Sequence, residues 1–126
     1  MSLLLLLITH LIADFFVQTK EQQENKWWDN GILLEHTITY TLCFIPFVVI
    51  YFNPAIGILF LFITLYMHTV TDRFTSILTH KYFSKKEYKK GFQIVGIDQT
   101  LHYLQLYGLL KILEQNPNNM KLWLPL

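Results

Sequence analysis

Three histidine–aspartate pairs in this chain are spaced for shared chemistry: His10-Leu-Ile-Ala-Asp14, His68-Thr-Val-Thr-Asp72 and, in reverse order, Asp98-Gln-Thr-Leu-His102. A fourth histidine, His36, stands by itself. Residues four apart share one face of a helix, so each pair can reach toward a single point. Neutral imidazole nitrogen and carboxylate oxygen together suit a divalent transition metal, with Zn²⁺ or Mn²⁺ favoured. Seven ligands (His10, Asp14, His36, His68, Asp72, Asp98 and His102) exceed one tetrahedral shell. Either two ions share them, or some aspartates orient ligands or act as general base. Asp72 and Asp98 are the candidates for the catalytic role. The plainer alternative is that each pair only glues helices together, a task that Ser, Thr or Asn performs at lower desolvation cost.

Each of these sets lies in its own apolar segment. The chain has 126 residues, enough for one domain; 52% are hydrophobic and only 15% charged, which is lean for a soluble domain. The charges are also segregated, with Lys and Glu collected in 20–29 and 81–90. That pattern predicts a single integral membrane domain, an all-α four-transmembrane-helix up-and-down bundle with the His/Asp site in its core. The predicted helices run over about 3–19, 32–52, 55–80 and 92–115, with Pro46 kinking the second. The first segment lacks a basic start and a small-residue cleavage site, so it reads as a retained helix. Trp27 and Trp28 mark a membrane–water interface, and Asn30-Gly31 and Asn53-Pro54 read as turns. Gly96 and Gly108 predict close helix approach. From Asn116 the tail reads as a turn and then a short apolar stretch around Trp123. Cys43 is the only cysteine, which excludes an internal disulfide and a thiolate cluster; it reads as apolar filler.

Alternating helix directions bring all seven site residues to the same side at similar depth. The same side holds both charged connections and seven of the nine lysines: Lys20, Lys26, Lys81, Lys85, Lys86, Lys89 and Lys90. The positive-inside rule then puts the loops and the site toward the cytoplasm and both termini outside. With a net charge of +1 and no basic stripe interleaved with aromatics, no nucleic-acid partner is expected. Gln18, Gln99 and Arg73 are the candidates for binding substrate. For the glutamines the alternative is a place at the loop boundary, and for Arg73 a snorkelling position in the interface. Tyr40 and Tyr103 read as packing residues with a polar tip, and His80 as solvated.

The segments His10-LIAD-FFVQ18, Glu24-Asn-Lys26, His36, His68-xxx-Asp72 and Gly96-IDQTLH102 together resemble the small bacterial and phage membrane proteins of domain of unknown function 3307, over the chain to about Leu113. More distantly, the histidine and aspartate spacing is similar to that of YdjM-type membrane-bound metal-dependent hydrolases. The resemblance implies a four-helix membrane fold in the bacterial inner membrane, with the seven residues above as its shared polar set.

The function expected on these grounds is a membrane-embedded metal-dependent hydrolase. It would act from the cytoplasmic face on a phosphoester or lipid-linked substrate, using one or two divalent ions. No serine or cysteine is placed beside a histidine as a nucleophile. The alternative is a non-catalytic membrane effector or ion-conducting module, with a homo-oligomer as a further possibility. Conduction needs polar residues continuing to the far face, and beyond His10 and His68 the segments are almost wholly apolar.

Overall fold

The computed structural model describes residues 2–121, and among these the chain is all-helical. The helices are α1 (Ser2–Leu11), α2 (Lys20–Asn25), α3 (Asn30–Leu42), α4 (Ile45–Tyr51), α5 (Pro54–Ser84) and α6 (Tyr88–Glu114). A single π-helical turn, Ile12–Phe16, prolongs α1, and a short 3-10 turn, Pro117–Asn119, follows α6. The apolar stretch around Trp123 lies outside the described residues.

Local signals account for most boundaries. Thr19 caps α2 through a capping box: its Oγ1 accepts from Gln22 N, while Gln22 Oε1 accepts from Thr19 N. Asp29 caps α3 by accepting from Gly31 N and Ile32 N, so Asn30-Gly31 is the first turn of a helix rather than a separate turn. Asn53 caps α5 through Ile56 N, with Pro54 in the first turn, where a missing N–H costs nothing. The expected kink at Pro46 is instead a break at Cys43–Phe44, with Pro46 in the first turn of α4. A proline excludes an N–H bond to the turn before it, so the interruption falls N-terminal to the residue that causes it.

The long hairpin extends further than the sequence pattern suggests. Helix α5 continues to Ser84 and α6 begins at Tyr88, so the basic segment is mostly helix. The reversal needs only Lys85–Glu87, with Lys86 in the left-handed region at φ 58°. Lys90 pairs with Glu87 and holds that carboxyl below its ordinary range. Close approach in this hairpin occurs at Gly91, where an added Cβ would meet the Phe83 ring at 2.9 Å. It does not occur at Gly96 or Gly108, where an added Cβ meets nothing within 4 Å.

Side-chain pairings define how the four rods pack. Thr75 meets Asp98 while Gln105 meets Thr71, so α5 and α6 are antiparallel. Arg73 reaches Asn30 and Thr69 reaches Thr37, so α3 and α5 are antiparallel as well. Ser2 reaches Glu114 and His10 reaches Gln99, which orders α1 against α6 in the same way. The apolar core, including Leu6, Phe44, Phe47, Phe52, Phe60 and Leu110, occupies the end away from the charged connections. The tail returns to this end, where Asn53 N bonds Asn119 O and Lys121 N bonds Tyr51 O.

Beside that apolar core the interior holds a buried polar cluster, while many large apolar side chains face outward. His10, Asp14, His36, His68, Asp72 and His102 are buried, while Phe16, Phe62, Tyr66, Leu104 and Ile112 are more than 60% exposed. Among the described residues, Asn30–Tyr51 and Pro54–Ser84 are long and apolar enough to cross a membrane, and Ser2–Phe16 is apolar but shorter. Helix α6 is not of that kind, because Gln93, Asp98, Gln99, His102, Gln105 and Lys111 interrupt its apolar residues.

Candidate metal centre

Four of the predicted ligands converge on one point. His36 Nε2 lies 3.2 Å from His68 Nε2, 3.4 Å from Asp14 Oδ1 and 3.1 Å from Asp72 Oδ2. His68 Nε2 is 3.8 Å from Asp14 Oδ1 and 3.6 Å from Asp72 Oδ2. Four ligands at ~2.0–2.1 Å from a tetrahedral ion stand about 3.3 Å from one another, so these separations fit the edges of such a shell. The protons available do not account for them. One N–H on His36 cannot serve two carboxylates and a second imidazole at once, and buried Asp14 Oδ1 has no hydrogen-bond donor. A cation at the common point satisfies all four atoms together, so the residues present fit a divalent metal.

The neighbouring hydrogen bonds orient this set. Gln99 donates through Nε2 to Asp14 Oδ2 at 2.7 Å and to Asp98 Oδ2 at 3.1 Å. Its Oε1 therefore accepts, at 2.9 Å, from His10 Nε2. That leaves His10 Nδ1 as the acceptor for the Tyr40 hydroxyl at 2.7 Å. The relay uses both nitrogens of His10 and one oxygen of Asp14, and it directs the other oxygen, Oδ1, at the centre. The ring of Tyr40 also stacks on His68, with centroids 3.6 Å apart.

The π-helical turn is what places Asp14. Its wider winding, closed by Val17 N on Ile12 O, carries Asp14, which is 5% exposed.

His102 and Asp98 form a second tier. His102 Nε2 is 3.4 Å from Asp72 Oδ1, and its Nδ1 is 3.5 Å from Asp98 Oδ2. Both contacts lie beyond good hydrogen-bond geometry, and both ring nitrogens are buried without a partner. Asp72, Asp98 and His102 form a further group whose ligand atoms are close enough for an ion, as do His10, Asp14 and His102. Asp98 Oδ1 accepts from Thr75 Oγ1 at 2.5 Å. Of the seven predicted residues Asp98 alone is only partly buried, its side chain 15% exposed.

Lys26 is the residue that sequence reasoning missed. It was assigned to a charged connection, yet its Nζ lies 2.7 Å from Asp72 Oδ2, with its own side chain 14% exposed. Arg73 holds the segment that carries it, donating to Trp27 O at 3.0 Å, to Lys26 O at 3.4 Å and to Asn30 Oδ1. Buried Gln22 adds a bond to Glu35 Oε1 at 2.9 Å. Helix α2 and Lys26 thus close the loop end of the centre. A signal did exist, because Glu24-Asn-Lys26 belongs to the resemblance described above, but nothing in its spacing connects it to Asp72.

The remaining candidates are engaged with the protein itself. Arg73 serves backbone carbonyls, and Gln99 bridges two carboxylates and an imidazole. Gln18 donates to Asp14 O at 3.3 Å, while its buried Oε1 has no partner. His80 is exposed and stacks on Trp27 with centroids 3.7 Å apart.

Fold and centre together define a class: an all-helical protein with buried His/Asp groups able to hold a metal ion. The chain belongs to the family described as protein of unknown function (DUF3307), whose model matches residues 2–125. No curated protein and no solved structure matches it.

Proposed function

We propose that this protein is a membrane-embedded, metal-dependent hydrolase of the bacterial inner membrane. The observation that carries this reading is the convergence of His36, His68, Asp14 and Asp72 at ligand-shell separations. Membrane placement is supported by the many large apolar side chains on the exterior and by two helices long and apolar enough to span, an arrangement that water disfavours and lipid favours. The four segments form the bundle, with the lysine-rich turns toward the cytoplasm.

Charge balance favours one ion. Asp14, Asp72 and Asp98 carry three negative charges and Lys26 one positive, so a single divalent cation brings the buried set to neutrality. Asp14, His36, His68 and Asp72 are the residues that would hold it. An ion held by these four would have to take a further ligand beside them, and it would then supply Lewis acidity toward a substrate oxygen or make a water there acidic near neutral pH. Asp98, the least buried carboxylate, is placed to accept a proton, with Thr75 and Gln99 fixing its two oxygens. His102 lies between Asp98 and Asp72 and can pass or share that proton. A phosphoester or lipid-linked substrate suits a centre near the lysine-rich face.

The rival, a non-catalytic effector or ion conduit, has less support. A conduit needs a polar path to the far end, and that end is filled by Phe44, Phe47, Phe52 and Phe60. The test is elemental analysis of gently purified protein beside a His36→Ala, His68→Ala variant, followed by a phosphoester-release panel with and without added Zn²⁺ or Mn²⁺. About one ion per wild-type chain, lost in the variant, with metal-dependent release, is the expected result. Sub-stoichiometric metal in both proteins after reconstitution would reduce the centre to helix glue.

A further inference from the structure

A cavity of about 590 Å³ opens between α5 and α6 and ends at the candidate metal centre. His68, His102 and Tyr40 form its inner end, and Leu59, Ile63 and Ile112 line its far part. The inner end is polar: His68 Nδ1 is buried without a hydrogen-bond partner, as are both nitrogens of His102, which face Asp72 and Asp98, and Thr64 Oγ1 one helical turn along is a further such atom. The remaining wall is almost entirely aliphatic. From His68 back to Leu59 the cavity follows nine residues of helix, ~14 Å at ~1.5 Å per residue, or about half of a ~30 Å hydrocarbon layer. A second, open depression of about 770 Å³ at the hairpin, beside Tyr82 and Lys90, contains none of the site residues.

Gly108 makes the cavity more than a packing fault. It lies in the interior of α6, where glycine is a poor helix former, and it lines the cavity with nothing within 4 Å of where a Cβ would stand. No neighbouring helix approaches closely enough to require the missing side chain. What glycine leaves here is open volume along the cavity wall.

We propose that this cavity seats the hydrocarbon chain of a lipid substrate whose polar head lies at the His/Asp centre. The proposal rests on the metal-site reading above for the head, and on the cavity alone for the chain. An apolar cleft with unpaired polar atoms at His68 and His102, and one turn along at Thr64, matches an amphiphile that is apolar along most of its length and polar at one tip. The loop end of the centre is closed by Lys26 and α2, so the substrate enters sideways from the lipid, between α5 and α6. Straight alkyl and branched prenyl chains share this chemistry, and the experiment separates them.

The probe is hexadecyl phosphate with a diazirine near the chain end, photolysed with the protein in lipid nanodiscs of fixed composition. Labelled positions are mapped by peptide mass spectrometry, with dodecyl phosphate and farnesyl phosphate as competitors. Labelling is expected at Ile63, Leu109 and Leu113, which line the cavity and are not exposed on the outer surface, and the stronger competitor identifies the chain type. Gly108→Leu fills the cavity from a position where its Cβ meets no atom, so it should keep fold and metal while labelling falls about tenfold or more. Gly96→Leu, on the same helix and equally unobstructed, should label as wild type. If Gly108→Leu does not fold, Ile63→Trp fills the cavity from α5 and gives the same readout. Labelling scattered over exposed Leu4, Phe62 and Phe74, unaffected by the cavity variants or by either competitor, would overturn the proposal. Metal content measured on the same samples keeps the two readings apart, since cavity labelling without metal would remove the hydrolase reading and leave the chain seat standing.

Discussion

Lys26→Met should change stability and metal affinity in opposite directions. The Lys26 ammonium lies 2.7 Å from Asp72 Oδ2, the same oxygen that approaches His36 and His68, and the two side chains are 14% and 2% exposed. Methionine keeps most of the apolar stem and removes the charge. In metal-free protein this leaves Asp72 as an uncompensated buried carboxylate. Breaking a buried pair from one side costs about 3–5 kcal/mol, which for a chain of this size is a fall in Tm of roughly 10–20 °C. For the metal-bound protein the sign reverses, because Lys26 and a divalent ion are two cations competing for one carboxylate. Unit charges ~4 Å apart repel by about 4 kcal/mol at an effective dielectric constant of ~20. Relaxation reduces that, and a gain of about 100-fold in Zn²⁺ affinity, ~2.8 kcal/mol, is a conservative expectation. The assay pairs melting of chelator-treated protein in detergent with a competition titration against a zinc-binding dye. Weaker Zn²⁺ binding in Lys26→Met, or an unchanged metal-free Tm, would refute the placement of Lys26 at the metal's seat.

Other substitutions test separate links. Asp98→Asn keeps shape but removes basicity and turns one of the two accepting oxygens into a donor, which the Thr75 hydroxyl can accept, so metal content and Tm should nearly hold while phosphoester release falls by about 10²-fold or more; unchanged turnover would end its role as base. Lys86→Gly should raise stability by up to about 1 kcal/mol in a melting series, because φ 58° strains a residue with a Cβ; a loss would mean that the Lys86 side chain matters more than its backbone. Arg73→Gln should speed amide exchange across 26–30 by releasing two backbone carbonyls, whereas unchanged protection would show the loop holding itself. In a Cys43→Ser background, Ser84→Cys should resist membrane-impermeant thiol reagents in intact cells and Asn118→Cys should react. The opposite labelling would invert the orientation.

Sequence alone was enough to bring the seven histidines and aspartates to one level. The reason is geometric: residues four apart share a helix face, and four segments of alternating direction return those faces to a common height. The turn signals Asn30-Gly31 and Asn53-Pro54 mark the starts of α3 and α5, but read as turns they did not reveal that Asp29 and Asn53 cap those helices. Three things were decided by tertiary structure. The π-helical turn that carries Asp14 has no periodicity of its own by which a sequence could announce it. Lys26 enters the centre because Arg73, 47 residues away, holds its backbone, and no local pattern encodes so distant a contact. Gly108 faces open volume rather than a neighbouring helix, since a glycine in a sequence reports a missing side chain but not what fills its place. Residue types and spacing determined which atoms could share a metal, while the separations that make one shell of them depend on how four helices cross.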